Sequence, residues 1–172
     1  MPWGIGIPNA VEPITGNTMF FYGDNGSPTG ARVSLAQILI SVGIGSVAYN
    51  ADAATASKTL TAAEISGGLQ QTILAMTGTF GAGGALTLPT VAALEATDTN
   101  LAVGSTYILR VINEGPAGTG TGQTLTMTTN TGWTLVGTMT LVTASFRDFL
   151  VTINSATTAT LQDIGGGALV TE

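Results

Sequence analysis

The sequence predicts a mainly β fold: a single antiparallel β-sandwich or barrel (jelly-roll-like) domain with a short helix, preceded by an extended N-terminal arm carrying one short helix. Several windows alternate apolar and polar residues with the period of half-buried strands. Gly-rich turns separate these windows, and many short strands at such spacing are typical of antiparallel sandwiches and barrels. A length of 172 residues suits one domain plus an extension.

The arm is predicted to cover residues 1–58, and its start is punctuated by Gly and Pro. Trp3, Ile5 and Ile7 lie there, and so short a segment cannot bury them alone. Either this segment docks on a neighbouring subunit, or it packs as a strand on the chain's own core. The start has no basic region before its apolar residues, so we expect no signal peptide and synthesis in the cytoplasm.

Further along the arm, residues 18–22 predict a short aromatic strand that contains Phe20, Phe21 and Tyr22. Gly and Asn residues directly after it indicate a turn. Residues 33–41 predict a helix with Ser34 as its N-cap. The Ala-rich stretch that follows, residues 51–57, is interpreted as a connector.

The β domain is predicted to span residues 59–164. A short helix over 88–97 is expected, with Pro89 in its first turn and Val91 and Leu94 on one face. The Gly-rich residues 165–172 predict a flexible C-terminal tail. The strand-like windows are 70–76, 106–113, 123–130, 133–138, 139–144, 148–154 and 159–163.

Composition argues against an enzyme. The chain contains no His and no Cys, which removes the usual general base, the thiolate nucleophile and the commonest zinc ligands. Paired carboxylates can hydrolyse glycosides without His, but no pattern brings two of the ten acidic residues together. We therefore expect no catalytic residues, no cofactor and no metal site.

Charge is scarce, at 8% of residues against roughly 25% in ordinary domains. The basic residues Arg32, Lys58, Arg110 and Arg147 are scattered, so a nucleic-acid partner is not expected. The uncharged stretch 33–49 is interrupted by polar residues and Gly, so no membrane span is expected either. Uncharged β surfaces tend to associate, which favours an oligomer; a monomer with a Thr-rich surface is the alternative.

Arg110 lies inside the strongest predicted strand, where an arginine among apolar neighbours needs a carboxylate partner. That partner belongs either to the same chain or to another subunit. Trp133, like Trp3, either fills a core or an interface or forms a platform for a sugar. The residues predicted for a subunit interface are Trp3, Ile5, Ile7, Phe20, Phe21, Tyr22 and Arg110.

Two stretches resemble phage virion proteins. Residues 22–39, YGDNGSPTGARVSLAQIL, are similar to a segment near the N-terminus of such proteins, where an acidic turn precedes a basic residue and a V-S/T-L-A-Q-L run. Residues 59–163 resemble a β domain of small phage structural proteins. The pieces that carry this second resemblance are LTLPTVAAL (86–94), VGSTYILRVIN (103–113), QTLTMT (123–128), GWTLVGT (132–138) and FLVTI (149–153).

The resemblance implies a head decoration (cement) protein that assembles as a homotrimer on the capsid exterior. Its partners would be further copies of itself and the major capsid protein, and the arm would lie over neighbouring capsid subunits. The alternative is a tail or head fibre or spike component that binds a host surface glycan. The resemblance carries no catalytic residues.

Overall fold

The computed structural model describes residues 18–20, 32–34, 47–66, 70–80, 83–115 and 123–169. The chain forms two compact units, Met1–Val42 and Gly43–Glu172. In the first unit, strands β1 (Thr18–Phe20) and β2 (Arg32–Ser34) pair in an antiparallel arrangement. Residues 18–20 of the predicted aromatic strand are thus extended, as expected. Ser34 belongs to β2 and is not a helix N-cap, and the rest of the predicted helix lies outside the described residues.

The second unit is mainly β, as predicted. Its helices are α1 (Ala62–Ile65) and α2 (Val91–Thr97). Its strands are β3 (Val47–Asp52), β4 (Lys58–Thr59), β5 (Gln71–Met76), β6 (Gly84–Thr87), β7 (Thr106–Asn113), β8 (Leu125–Thr128), β9 (Trp133–Val136), β10 (Thr140–Leu141), β11 (Ser145–Ser155) and β12 (Thr158–Ala168).

These strands form a six-stranded sheet in the order β3-β5-β7-β11-β12-β9 and a four-stranded sheet in the order β10-β8-β6-β4. From β3 to β10 the chain passes to the other sheet after every strand. Neighbouring strands are therefore joined by crossovers, and β3, β5 and β7 run parallel, as do β4, β6 and β8. Near the C-terminus, β11 and β12 form a long antiparallel hairpin.

The prediction of an antiparallel domain is wrong in this respect, because both sheets are mixed. Apolar alternation reports which face of a strand is buried and carries no information on strand direction. Close spacing of the windows suggested hairpins. The intervening strands instead pair in the other sheet, so windows adjacent in sequence are seldom neighbours in space.

One hydrophobic cluster takes side chains from both sheets and both helices. The six-stranded sheet contributes Leu74, Val111 and Phe149, and the four-stranded sheet contributes Leu125 and Met127. All of these are at most 1% exposed. Full burial of such a side chain stabilises a fold by roughly 1.5–3 kcal/mol. This cluster therefore holds the two sheets in one unit.

The short helices close this cluster. Thr61 and Glu64 form a capping box at the start of α1. Thr90 caps α2, and Val91 and Leu94 are buried, as the predicted helix 88–97 required. Helix α2 begins at Val91, so Pro89 precedes the helix and does not lie in its first turn as predicted. The carbonyl oxygen of Pro89 accepts a 2.7 Å hydrogen bond from Trp133 Nε1. Trp133 is thus part of the core and is not a platform for a sugar.

The limits of the β domain differ from those predicted. The second unit begins at Gly43, and β3 lies in the six-stranded sheet, so the expected boundary between 58 and 59 falls inside this unit. The Ala-rich residues resembled a connector because small side chains give little pattern. At the other end, β12 continues to Ala168, so residues 165–168 of the predicted flexible tail are paired strand. The absence of side chains at Gly166 and Gly167 allows close approach to Phe146.

Replacing Gly132 by Ala tests how closely the turn before β9 packs against its neighbours. The φ of Gly132 is +92°, and a Cβ there would lie 2.3 Å from the carbonyl oxygen of Thr157. Gly104 has a φ of +90° but no neighbour within 4 Å of that position. We predict that Gly104→Ala lowers the free energy of unfolding by about 1 kcal/mol through backbone strain alone. Gly132→Ala should cost roughly 1–3 kcal/mol more. Equal losses in urea denaturation of the two variants would contradict this packing.

Candidate interaction surface

The six-stranded sheet has one face in the core and another, opposite face that is also apolar. Strand register places Tyr49, Ile73, Arg110 and Asp148 side by side across β3, β5, β7 and β11. Rows on either side of this one complete the surface, which we call the outer face. Its members are Val47, Tyr49, Ala51, Gln71, Ile73, Ala75, Ile108, Arg110, Ile112, Phe146, Asp148 and Leu150.

Exposure varies across the outer face. Towards the β3 side, Tyr49 is 59% and Val47 is 52% exposed, which is high for side chains of this size. The isoleucines of β5 and β7, with Phe146 and Leu150 of β11, are only partly buried, whereas Ala75 is fully buried. Such a contiguous apolar surface is the usual mark of an interaction site in a folded domain.

Arg110 and Asp148 form a bidentate ion pair within the outer face. Arg110 Nε lies 2.7 Å from Asp148 Oδ1, and Nη2 lies 2.8 Å from Oδ2. The two residues are directly opposite on β7 and β11, so the sheet itself sets this geometry. The hydrogen bond to Asp148 raises the pKa of the Arg110 guanidinium above its ordinary value, which keeps it charged. The pair contributes no net charge to the outer face.

Phe146 holds Arg110 from one side. The guanidinium carbon lies 4.5 Å from the centre of the Phe146 ring, a cation–π distance. Phe146 in turn lies against Gly167, where a Cβ would be 3.2 Å from the ring. The Phe146 ring therefore lies between Gly167 of β12 and the guanidinium of Arg110. This stack fixes the orientation of Arg110.

The outer face includes one of the predicted interface residues, Arg110, and the structure places its carboxylate partner in the same chain. Phe20 lies in β1, where only the backbone is described. The other predicted interface residues, Trp3, Ile5, Ile7, Phe21 and Tyr22, lie outside the described residues.

Sequence reasoning missed most of the outer face. The available signal was the near-continuous apolar character of β5, QTILAM, and β7, TYILRVIN. Strands that are apolar at successive positions are typically covered on both faces. The alternation that predicted half-buried strands lies in windows such as 123–130 and 148–154, and it does not reveal a second apolar face on β5 and β7.

The four-stranded sheet presents a different surface. Its face opposite the core carries a row of Thr59, Thr87 and Thr128, beside a row that contains Thr126 and Thr140. The hydroxyl oxygens of Thr87 and Thr128 lie 2.9 Å apart. We call this surface the threonine face. Hydroxyl side chains of this kind are well suited to contact with water.

Among the described residues, the other ion pairs join neighbouring segments of the second unit. Lys58 pairs with Asp52, and its Nζ lies 2.7 Å from Glu64 Oε1. Burial disfavours the charges, but these hydrogen bonds outweigh it, so the pKa of Asp52 is lowered and that of Lys58 is raised. Arg147 Nη1 lies 2.8 Å from Asp163 Oδ2, on the sheet face opposite to the outer face.

Within the part of the chain that the structure describes, no group of three or more acidic side chains is arranged to hold a metal ion. Among the same residues, no helix is long and apolar enough to cross a membrane. Comparison with protein-family models, curated proteins and solved structures finds no match to this chain.

Asp163 gives a pH-dependent prediction. Burial would raise its pKa, but hydrogen bonds from Arg147, Gly165 N–H and Thr138 N–H outweigh burial and lower the pKa below 3.8. A carboxyl whose pKa is lower in the folded state stabilises the fold above its unfolded pKa, and this contribution is lost as pH falls. Asp163→Asn should therefore reduce stability at pH 7 by about 1–3 kcal/mol. It should also flatten the loss of stability below about pH 4.

Thermal unfolding of wild type and Asp163→Asn between pH 2 and pH 7 measures both effects. The exposed residue Glu114 provides the control variant, Glu114→Gln. An acid profile of Asp163→Asn as steep as that of wild type would contradict the role assigned to this carboxylate.

Proposed function

We propose that this chain is a non-catalytic structural protein that self-associates through the outer face and serves as a decoration protein of a phage capsid, as a homotrimer. The observation that supports self-association most directly is the apolar outer face, with its internally neutralised Arg110–Asp148 pair. The sequence resemblance of residues 22–39 and 59–163 supports the phage role.

The difference in polarity between the outer face and the threonine face favours a partner on the outer face only. We propose that the two sheets pack as a sandwich, which would point the threonine face and the outer face in opposite directions. Water satisfies the hydroxyls of the threonine face. The isoleucines and aromatic rings of the outer face gain about 25 cal/mol for each Å² that a partner removes from water.

A second copy of the chain suits the outer face electrostatically. The chain carries a formal net charge of −6, so copies repel one another at long range. The outer face itself carries no net charge, because its two charged residues, Arg110 and Asp148, neutralise each other. Two copies can therefore approach through this surface without bringing like charges together.

Trimerisation would also explain how weak contacts with a capsid suffice. Three copies present three N-terminal segments at once, and each contact after the first is effectively intramolecular. In this proposal the residues before Gly43 reach over neighbouring subunits of the major capsid protein. The threonine face then remains towards solvent on the capsid exterior.

Introducing an unpaired charged side chain into the outer face should dissociate the oligomer into monomers. Ile108 lies in a central strand of this face and is partly buried. We predict that wild type has the mass of a trimer by light scattering and that Ile108→Glu is monomeric yet folded. Thr126→Glu, in a central strand of the threonine face, is the matched control and should remain a trimer. A monomeric wild type, or equal disruption by both variants, would contradict the proposal.

Mixing the purified protein with bare expanded phage capsids tests the biological role. We predict that wild type binds the capsids and that a variant without residues 1–42 stays assembled but no longer binds. Failure of wild type to bind would contradict decoration. Binding of the truncated variant to host cells or their polysaccharide would favour the alternative, a glycan-binding fibre component.

A further inference from the structure

Arg110 has donors that its partner within the chain leaves unused. A guanidinium carries five N–H donors. Asp148 accepts one from Nε and one from Nη2, through a side-on pair. Both N–H groups of Nη1 and the second one of Nη2 remain. Among the residues that the structure describes, no acceptor contacts Nη1.

The unused N–H donors of Arg110 are exposed to water in the isolated subunit and would lose that water when a partner covers the outer face. The Arg110 side chain is 34% exposed, so water reaches it in the isolated subunit. Its direct neighbours Ile73, Ile108 and Ile112 offer no side-chain acceptor. Gln71 lies diagonally across on β5 and makes no hydrogen bond to Arg110. A purely apolar cover would remove water from the remaining donors and leave them buried without a hydrogen-bond partner, which disfavours such a cover.

The position of Nη1 is set by three contacts that hold the guanidinium. The two bonds to Asp148 fix its plane, and the side-on arrangement turns Nη1 away from that carboxylate. The Phe146 ring covers one side of the plane at 4.5 Å. Arg110 is thus held in place before any partner arrives, so little side-chain entropy is lost on binding.

From these contacts we infer that the second copy covering the outer face presents an oxygen acceptor, a carboxylate or a main-chain carbonyl, to Nη1 of Arg110. This inference rests on the proposed self-association and specifies its chemistry. Arg110 then bridges the subunits, with Asp148 on its own chain and the acceptor on the other. Arginine residues at the centre of an apolar interface commonly dominate its affinity.

The double variant Arg110→Met/Asp148→Leu tests the inference. It removes both charges together, so neither is left buried without a partner. It also removes the two charged residues of the outer face. If Arg110 donates across the interface, the dissociation constant measured by sedimentation should rise at least about tenfold. If the pair acts only within the chain, association should be unchanged or tighter, and the inference is overturned.

Two further variants keep the test decisive. Arg147→Met/Asp163→Leu removes a matched cross-strand pair that lies off the outer face and should leave the dissociation constant within about threefold of wild type. Arg110→Lys retains a positive charge beside Asp148 but loses the remaining fork of donors, and it should also weaken association. Wild-type affinity for Arg110→Lys would count against a donor at Nη1.

The same experiment separates the inference from the function on which it rests. A wild type that sediments as a monomer contradicts self-association itself. A wild-type oligomer whose affinity the double variant leaves intact contradicts the bridging role of Arg110 alone. Circular dichroism melts of each variant establish that the subunits compared are folded.

Discussion

The hydrophobic cluster shared by the two sheets is the constraint from which the rest of the structure follows. The chain passes between the sheets at every strand from β3 to β10, so strands that neighbour each other in one sheet are separated in sequence by a strand of the other. Each crossover adds side chains such as Leu74 or Leu125 to the same cluster. Parallel pairing of β3, β5 and β7 is a consequence of that path. It also places β5 and β7 inside the six-stranded sheet, where each strand has two largely apolar faces to remove from water.

The core takes only one of those faces. The other becomes the outer face, in which the charged residues Arg110 and Asp148 satisfy each other and Phe146 steadies the guanidinium. An ion pair inside an apolar surface gives little stability by itself, but it favours a particular arrangement of partners. The protein thus presents an apolar, electrically balanced surface on one sheet and a hydroxyl-rich surface on the other. That asymmetry is the physical basis for proposing self-association through a defined side.

The sequence predicted the mainly β character and most of the strands, because residues such as Phe149, Val151 and Ile153 alternate with polar neighbours. It also predicted α2 from Val91 and Leu94. Strand direction could not be read, since alternation is the same in parallel and antiparallel sheets. Strands β3, β4 and β6 were missed: β3 and β4 border the Ala-rich stretch 51–57, where small side chains give little pattern, and β6 begins in the Gly-rich stretch 81–84. Of the outer face, only Arg110 was identified from the sequence. An arginine within an apolar strand can be recognised from the sequence pattern, whereas the other members are grouped only by the strand register.

The central claim is that the outer face is covered by other copies of the chain, and hydroxyl-radical footprinting at low and high protein concentration tests it most directly. If other copies cover the outer face, Tyr49, Phe146 and Leu150 lose reactivity as the protein assembles. Val103 and Val142, which are 67% and 62% exposed and lie off the outer face, should keep theirs. Undiminished labelling of Tyr49 and Phe146 at a concentration where light scattering shows an oligomer would contradict the account.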